Sequence, residues 1–141
     1  MEGRRFYVLT AIQIVAAGVL IWLLITWKTP LNAQRYIGTV LAMVGVSFIG
    51  LARFQLGRSF SIKAEAHALV TTGLYSKIRN PIYVFGLVML IGLVLVLQRP
   101  GLWILLVVVA IGQTVRARQE ARVLEAAFGE QYREYRRRTW F

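Results

Sequence analysis

Few side chains in this sequence can do chemistry, and they lie in two polar segments, 53–80 and 116–141. The chain has no Cys and a single His, His67. Thiol nucleophiles and thiolate metal ligands are therefore absent, and no metal site is expected. The acidic residues are all Glu, so any acid–base chemistry falls to a few Glu side chains.

Arg116 and Glu120 are the most suggestive pair, because residues four apart share one face of a helix. A surface ion pair explains them poorly: the favourable order places Glu before the cation, and such pairs contribute only ~0.2–0.5 kcal/mol. Both residues follow directly after an apolar stretch. The alternative is that they point into a pocket at the level of lipid headgroups.

The elements that position these residues are apolar. Hydrophobic residues make up 57% of the 141 residues and charged residues 16%, yet the net charge is +11. Soluble domains have roughly 45–50% hydrophobic and about 25% charged residues. The hydrophobic and the charged residues must therefore lie in separate parts of the structure. A plain globular enzyme, a disordered tail and a disulfide scaffold are excluded.

A transmembrane helix needs ~20 apolar residues. The sequence has charge-free apolar stretches at residues 6–27, 36–52, 82–97 and 101–115, and each is a candidate span. The first exceeds the roughly 7–15 residues of a signal-peptide core, so it is expected to be retained. Only a tight turn separates the last two, which predicts a helical hairpin. The fold class expected is all-α, a polytopic membrane protein with four transmembrane helices in one domain, 1–141.

Most of the 17 Lys and Arg lie in the N-terminus, in 53–80 and in 116–141, which share one side if there are four spans. The positive-inside rule then predicts cytoplasmic termini in a bacterial or archaeal cell membrane. The charge is interpreted as a topology signal and a contact with anionic lipid headgroups, in preference to nucleic-acid binding. No Gly-x-Gly-x-x-Gly motif and no strand–helix alternation is present, which excludes a Rossmann-type cofactor domain.

The tail has the spacing of an amphipathic helix that continues the fourth span, bends near Gly129 and turns along the membrane surface. The residues of its apolar face recur every three or four positions: Ala117, Ala121, Leu124, Phe128, Tyr132 and Tyr135.

Several short motifs occur in order from Leu56 onward. They are Leu56-Gly57-Arg58-x-Phe60-Ser61, His67-x-Leu69-Val70-Thr71-x-Gly73-x-Tyr75, Arg79-Asn80-Pro81-x-Tyr83 and Glu120-x-x-x-Leu124-x-x-x-Phe128-Gly129-x-x-Tyr132-x-x-Tyr135. Together they resemble the isoprenylcysteine carboxyl methyltransferase family, integral membrane enzymes that use S-adenosylmethionine. The Asn-Pro-x-Tyr box also resembles the related phosphatidylethanolamine N-methyltransferases.

The resemblance implies a cofactor site and a substrate contact. S-adenosylmethionine would be wrapped by His67, Ala68, Leu69, Val70, Tyr75, Asn80, Pro81, Ile82, Tyr83 and Glu120. Arg116 would face the substrate carboxylate. In two places the sequence departs from the family: Asn80 stands where the family has His and cannot become cationic, and Ala121 stands where the family usually has a second Glu.

Asn80 and Pro81 also have an ordinary structural interpretation, because Asn is a favoured N-cap and Pro a favoured first helical residue. The two interpretations are compatible. A helix N-terminus presents free N–H groups that can bind a carboxylate, and the methionyl carboxylate of the cofactor could bind there.

The acceptor decides the mechanism. A prenylcysteine carboxylate, with a pKa of roughly 3.5, is ionised at neutral pH and needs only a cation such as Arg116. A phospholipid amine must first lose a proton, to Glu120, Glu125 or Glu65. The sequence has one Arg and one Glu here in place of a Glu pair, which favours a carboxylate acceptor over an amine acceptor. A lipophilic acceptor would enter from the bilayer between helices. The alternatives are a phospholipid N-methyltransferase and a non-enzymatic basic membrane protein.

Overall fold

The computed structural model describes residues 28–56 and 69–141, with isolated positions between 15 and 26. The regular elements in 28–56 and 69–141 are helical. They are α1 (Ala33–Leu56), a short 3-10 helix (Gly73–Ser76), α2 (Pro81–Leu97), α3 (Leu102–Phe128) and α4 (Glu130–Arg138). This agrees with the predicted all-α class. Most of the predicted span 6–27, and the predicted site residues His67 and Ala68, lie outside the described residues.

Two helices, α1 and α3, are long and apolar enough to cross a membrane, and α2 is apolar but shorter. Much of their apolar surface faces outward: Ile104 is 73% exposed, and Val40, Val107 and Ile111 are also exposed. Contiguous apolar surface of this kind marks contact with a membrane or a partner. The membrane character is supported, while four full crossings and the hairpin remain predictions.

Small residues allow α1 and α2 to pack at close range. A Cβ added at Gly45 would lie 2.5 Å from the main-chain nitrogen of Met89, and one added at Gly38 would lie 2.7 Å from the Gly92 oxygen. Ala42 and Val96 are fully buried between these contacts. Small residues spaced along a helix let backbones approach closely in membrane proteins. This contact fixes the position of α2 and of the residues at its N-terminus.

The end of α1 fixes the turn that precedes α2. The Gln55 side-chain oxygen accepts the Leu74 N–H at 2.7 Å. Gly73, next to it, has φ +61°, a conformation that other residues rarely adopt. A side chain at Gly73 would also collide with the Gln55 carboxamide. The chain therefore turns at Gly73, and this turn positions Tyr75.

The opposite end of α2 is tied to the segment before α1. Gln98, in the left-handed conformation, ends α2 and donates to the Asn32 side chain at 3.1 Å. The Thr29 hydroxyl donates to the Val96 carbonyl at 3.0 Å. Arg35 is buried and donates to the Thr29 carbonyl at 2.6 Å. These bonds satisfy polar groups at the turn between α2 and α3.

The predicted helical tail and its break near Gly129 are present, and its course along the membrane surface stays a prediction. α3 runs on past its apolar part to Phe128, Gly129 takes φ +51°, and α4 follows. Buried Tyr132 and Tyr135 lie on the inner face of α4. Beyond α4 the chain pairs with the approach to α2: the Trp140 N–H donates to the Lys77 carbonyl at 2.7 Å.

Candidate active site

Four polar side chains from the 3-10 helix, α2, α3 and α4 form what we call the tyrosine–glutamate cluster: Tyr75, Tyr83, Glu120 and Tyr135. The Tyr83 hydroxyl donates to Glu120 Oε1 at 2.5 Å. The Tyr135 hydroxyl donates to the main-chain oxygen of Tyr75 at 2.7 Å. Three of these residues were predicted from the sequence as cofactor contacts, and the structure brings those three together.

Glu120 is the ionisable centre of this cluster. It is half-buried, and in the described part of the chain it forms no ion pair. Its Oε1 accepts the hydrogen bond from the Tyr83 hydroxyl. A carboxylate held by a hydroxyl beside aromatic rings, with no ion pair in the described residues, is suited to receive a cationic ligand or a proton.

The phenols around Glu120 stay protonated at physiological pH. Burial, with the nearby Tyr135 and Glu120 adding to it, raises the pKa of Tyr75 well above its ordinary value of 10. Burial, together with the neighbouring Tyr132, raises the pKa of Tyr135 to about 12. Low-dielectric surroundings penalise the phenolate. Both phenols therefore stay neutral, and the Tyr135 hydroxyl donates to the Tyr75 carbonyl.

Arg116 lies on α3 one turn before Glu120, as its spacing predicted, and within electrostatic range of the Tyr83 hydroxyl. Its side chain is exposed. Within residues 28–56 and 69–141 it has no ion-pair partner. The structure therefore places a free cation at the rim of the cluster, and not inside it.

The box at the start of α2 is arranged differently from a simple helix cap. Asn80 occupies the N-cap position and buried Pro81 opens the helix, but the Asn80 side chain forms no capping bond. Instead, Asn80 Nδ2 donates to the Phe141 oxygen at 3.2 Å. The Asn80 carbonyl accepts the N–H groups of Tyr83 and Val84. Thus Asn80 anchors the end of the chain, while Tyr83, one turn further, reaches Glu120.

The remaining predicted contacts are apolar or outside the described residues. Leu69 and Val70 are half-buried and lead into the turn at Gly73, and Ile82 is half-buried at the start of α2. They can supply apolar walls near the cluster.

Sequence reasoning missed two members of this region. The sequence indicates Tyr135 as part of the apolar face of the tail and of the last motif, but not as a site residue, although its hydroxyl is a buried donor. Gln113 Oε1 is buried without a hydrogen-bond partner in the described residues. Gln113 is seven residues before Glu120, on the same face of α3, and lies opposite Gly86 of α2. An amide within an otherwise apolar stretch was the signal available.

An all-helical fold with candidate spans and a polar cluster at their border is typical of a membrane-embedded enzyme. The sequence model of the phospholipid methyltransferase family matches residues 32–131, so the chain belongs to that family. The match takes in α1, α2, α3 and three members of the cluster, and Tyr135 follows it. It does not single out the isoprenylcysteine branch. Comparison with curated proteins and with solved structures gives no match.

Proposed function

We propose that this protein transfers a methyl group from S-adenosylmethionine to the amine of a phospholipid headgroup. The observation that carries the proposal is Glu120: a half-buried carboxylate, held by Tyr83 and free of any ion pair in the described residues, at the point where the apolar part of α3 ends. The two reacting groups in such a transfer, the sulfonium and the lipid ammonium, are both cationic beforehand. Membership of the phospholipid methyltransferase family supports the lipid acceptor.

The residues present fit the cofactor. When bound, S-adenosylmethionine supplies an electrophilic methyl group on a sulfonium cation. The rings of Tyr75 and Tyr83 and the carboxylate of Glu120 would hold this cation, with Leu69, Val70 and Ile82 beside them. His67 and Ala68 stay predicted contacts. Asn80 and Pro81 contribute by fixing the first turn of α2, from which Tyr83 extends.

Glu120 is also the best base for an amine acceptor. A lipid ammonium must lose a proton before its nitrogen has a free electron pair, and a carboxylate within hydrogen-bond reach can take that proton. Of the two carboxylates named for this role on α3, Glu125 is occupied: Arg133 binds its Oε1 at 2.8 Å and Arg136 approaches its Oε2 at 3.9 Å. Glu120 keeps its second oxygen available, and Tyr83 fixes its orientation.

A second acceptor has one observation in its favour. Arg116 is a cation without an ion pair in the described residues, one helical turn from Glu120. It suits an isoprenylcysteine carboxylate, which needs no base. In both cases the acceptor's tail would enter from the bilayer.

The test is transfer of labelled methyl from S-adenosylmethionine by the detergent-solubilised protein, to phosphatidylethanolamine and, separately, to farnesylated N-acetylcysteine. Methylation of the phospholipid, lost in Glu120→Gln and kept in the matched Glu125→Gln, is the expected result. If only the prenylcysteine is methylated, and Arg116→Ala abolishes that methylation, the acceptor is the carboxylate and not the phospholipid amine. Absence of S-adenosylhomocysteine binding by calorimetry would overturn both and favour a non-enzymatic membrane protein.

A further inference from the structure

A cavity of about 210 Å³ lies between the start of α2, the middle of α3 and the tail. Its lining includes three guanidinium side chains, from Arg79, Arg118 and Arg136, and no acidic residue. Ala117 and Ala121 supply small side chains on the α3 wall. Three cations around one cavity repel each other, so an anion bound there would relieve that repulsion.

Most of the N–H donors of these three arginines have no acceptor in the described residues. Within the ranges that the structure describes, the side chains of Arg79 and Arg118 form no ion pair and no hydrogen bond. Arg136 approaches only Glu125, at 3.9 Å, and that carboxylate is already bound by Arg133 at 2.8 Å. Their donors are therefore available for a ligand that offers several acceptor oxygens.

The cavity lies beside the tyrosine–glutamate cluster and does not include it: Arg79, on the cavity wall, is within electrostatic range of Tyr135. Arg118 precedes Glu120 by two residues, which turns it by about 200° around the helix axis. Neither Tyr75, Tyr83 nor Glu120 lines the cavity. Asn80 does line it, but the Asn80 amide is engaged with the Phe141 oxygen.

The position along α3 indicates the source of the anion. Thr114, on the cavity wall, belongs to the last apolar turn of α3, and Arg116 and Arg118 follow at once. This is the level at which a membrane helix meets lipid headgroups, and basic pockets between helices at that level bind anionic headgroups. Arg also matches phosphate geometry through paired N–H donors.

We propose that this cavity binds the phosphate group of an anionic phospholipid headgroup, held by Arg79, Arg118 and Arg136. It is a lipid-binding site next to the proposed methyl-transfer site, and the inference does not depend on the proposed methyl transfer. A free phosphate ion carries the same chemistry, so the experiment separates the two sources.

The decisive variant is Ala121→Glu, which places a carboxylate among the three guanidinium groups. Its matched control is Ala126→Glu, which makes the same charge change at an exposed position of α3. Arg118→Ala is the second test, with Arg122→Ala as its exposed control. Because Ala121→Glu relieves repulsion, its melting temperature should equal or exceed that of the wild type, so loss of binding is not loss of fold.

Binding is measured by calorimetry in neutral detergent with dihexanoylphosphatidylglycerol, dihexanoylphosphatidylcholine and inorganic phosphate. The wild type should bind the anionic lipid most tightly. Ala121→Glu and Arg118→Ala should weaken that binding by about tenfold or more, and the two controls by no more than about twofold. Inorganic phosphate binding as tightly as the lipid, with the same losses, would assign the anion site to free phosphate.

Three results would overturn the proposal. The first is no binding of any probe by the wild type. The second is equal weakening in the test and control variants, because it would mean diffuse attraction to a basic surface. The third is a parallel loss of S-adenosylhomocysteine affinity, because the cavity would then belong to the cofactor site. None of these measurements requires methyl transfer. Failure of the lipid-binding proposal would therefore not count against the proposed methyl transfer.

Discussion

The Tyr83 hydroxyl and the Glu120 carboxylate, 37 residues apart in sequence, share a hydrogen bond of 2.5 Å between the first turn of α2 and the part of α3 beyond its apolar stretch. The bond lies at the border between apolar helix and polar segments. It holds one oxygen of a carboxylate that has no cationic partner in the described residues. The orientation of this carboxylate is therefore the property on which the proposed chemistry depends.

Tyr83→Phe should lower methyl transfer without unfolding the protein. The substitution keeps the ring and removes the donor to Glu120. Hydrogen bonds to charged groups contribute about 1.5–3 kcal/mol, so kcat/KM should fall by roughly tenfold to a hundredfold. The measurement is kcat/KM with the acceptor identified above. Tyr36→Phe, at an exposed phenol on α1, is the control and should leave the rate unchanged. Unchanged kcat/KM in Tyr83→Phe would remove the positioning role from this hydroxyl.

Asn80→Ala tests whether Asn80 anchors the chain end or contacts the cofactor. The structure shows its amide on the Phe141 oxygen at 3.2 Å, beside a main-chain bond between the same residues. Loss of the side-chain bond should lower the free energy of unfolding by about 0.5–1.5 kcal/mol. Affinity for S-adenosylhomocysteine should change less than about twofold. A tenfold loss of affinity at unchanged stability would support the direct cofactor contact that the family resemblance implies.

Close packing of α1 on α2 predicts a position-specific cost for one added methyl group. Gly45→Ala places a Cβ 2.5 Å from the Met89 nitrogen, so the helices must separate, at a cost of about 1–3 kcal/mol. Gly112→Ala, where a Cβ meets nothing within 4 Å, is the matched control. It should be neutral or gain about 0.5–1 kcal/mol from helix propensity. Unfolding followed by circular dichroism in mixed micelles compares the two. Equal stabilities would contradict the close helix contact.

The spanning helices were predictable from charge-free apolar stretches, and for α2 the stretch 82–97 also gives the ends, whereas for α1 it does not. The charge-free stretch 36–52 predicts a shorter helix than α1, Ala33–Leu56, because Arg35 and Arg53 are inside the helix. Arg35 fits there because its guanidinium reaches the Thr29 carbonyl. The continuation of α3 past 115 to Phe128, by contrast, was predicted from the spacing of the tail. The length of an apolar stretch indicates how much of a helix contacts hydrocarbon. The helix itself ends where its backbone hydrogen bonds end, which can lie beyond the apolar stretch.

The candidate site was predictable only in part, for a related reason. Tyr75, Tyr83 and Glu120 stand in short motifs and could be found from them. The contact of Tyr135 with the Tyr75 carbonyl joins residues 60 apart through a buried hydroxyl. It depends on the bend at Gly129, whose direction no local pattern specifies. The arginine cavity escaped detection for the same reason, because its three cations come from three separate parts of the chain.

Alkaline pH should weaken the protein through Tyr135. Burial raises the pKa of this phenol from 10.0 to about 12 in the folded chain. Between these values the unfolded chain binds fewer protons, so the free energy of unfolding falls as pH rises. Below pH 10 the contribution is fully present. Ultraviolet absorbance of tyrosinate, recorded with unfolding at each pH, measures both effects.

In Tyr135→Phe the bond to the Tyr75 carbonyl is also lost, so its stability below pH 10 should lie about 0.5–1.5 kcal/mol under that of the wild type. Because this variant has no phenol to titrate at residue 135, the gap should narrow as the wild type approaches pH 12. Tyr36→Phe should run parallel to the wild type throughout, since residue 36 is exposed. A constant difference in the free energy of unfolding between Tyr135→Phe and the wild type across this range would mean that Tyr135 titrates alike in the folded and unfolded chain, contrary to its burial on the inner face of α4.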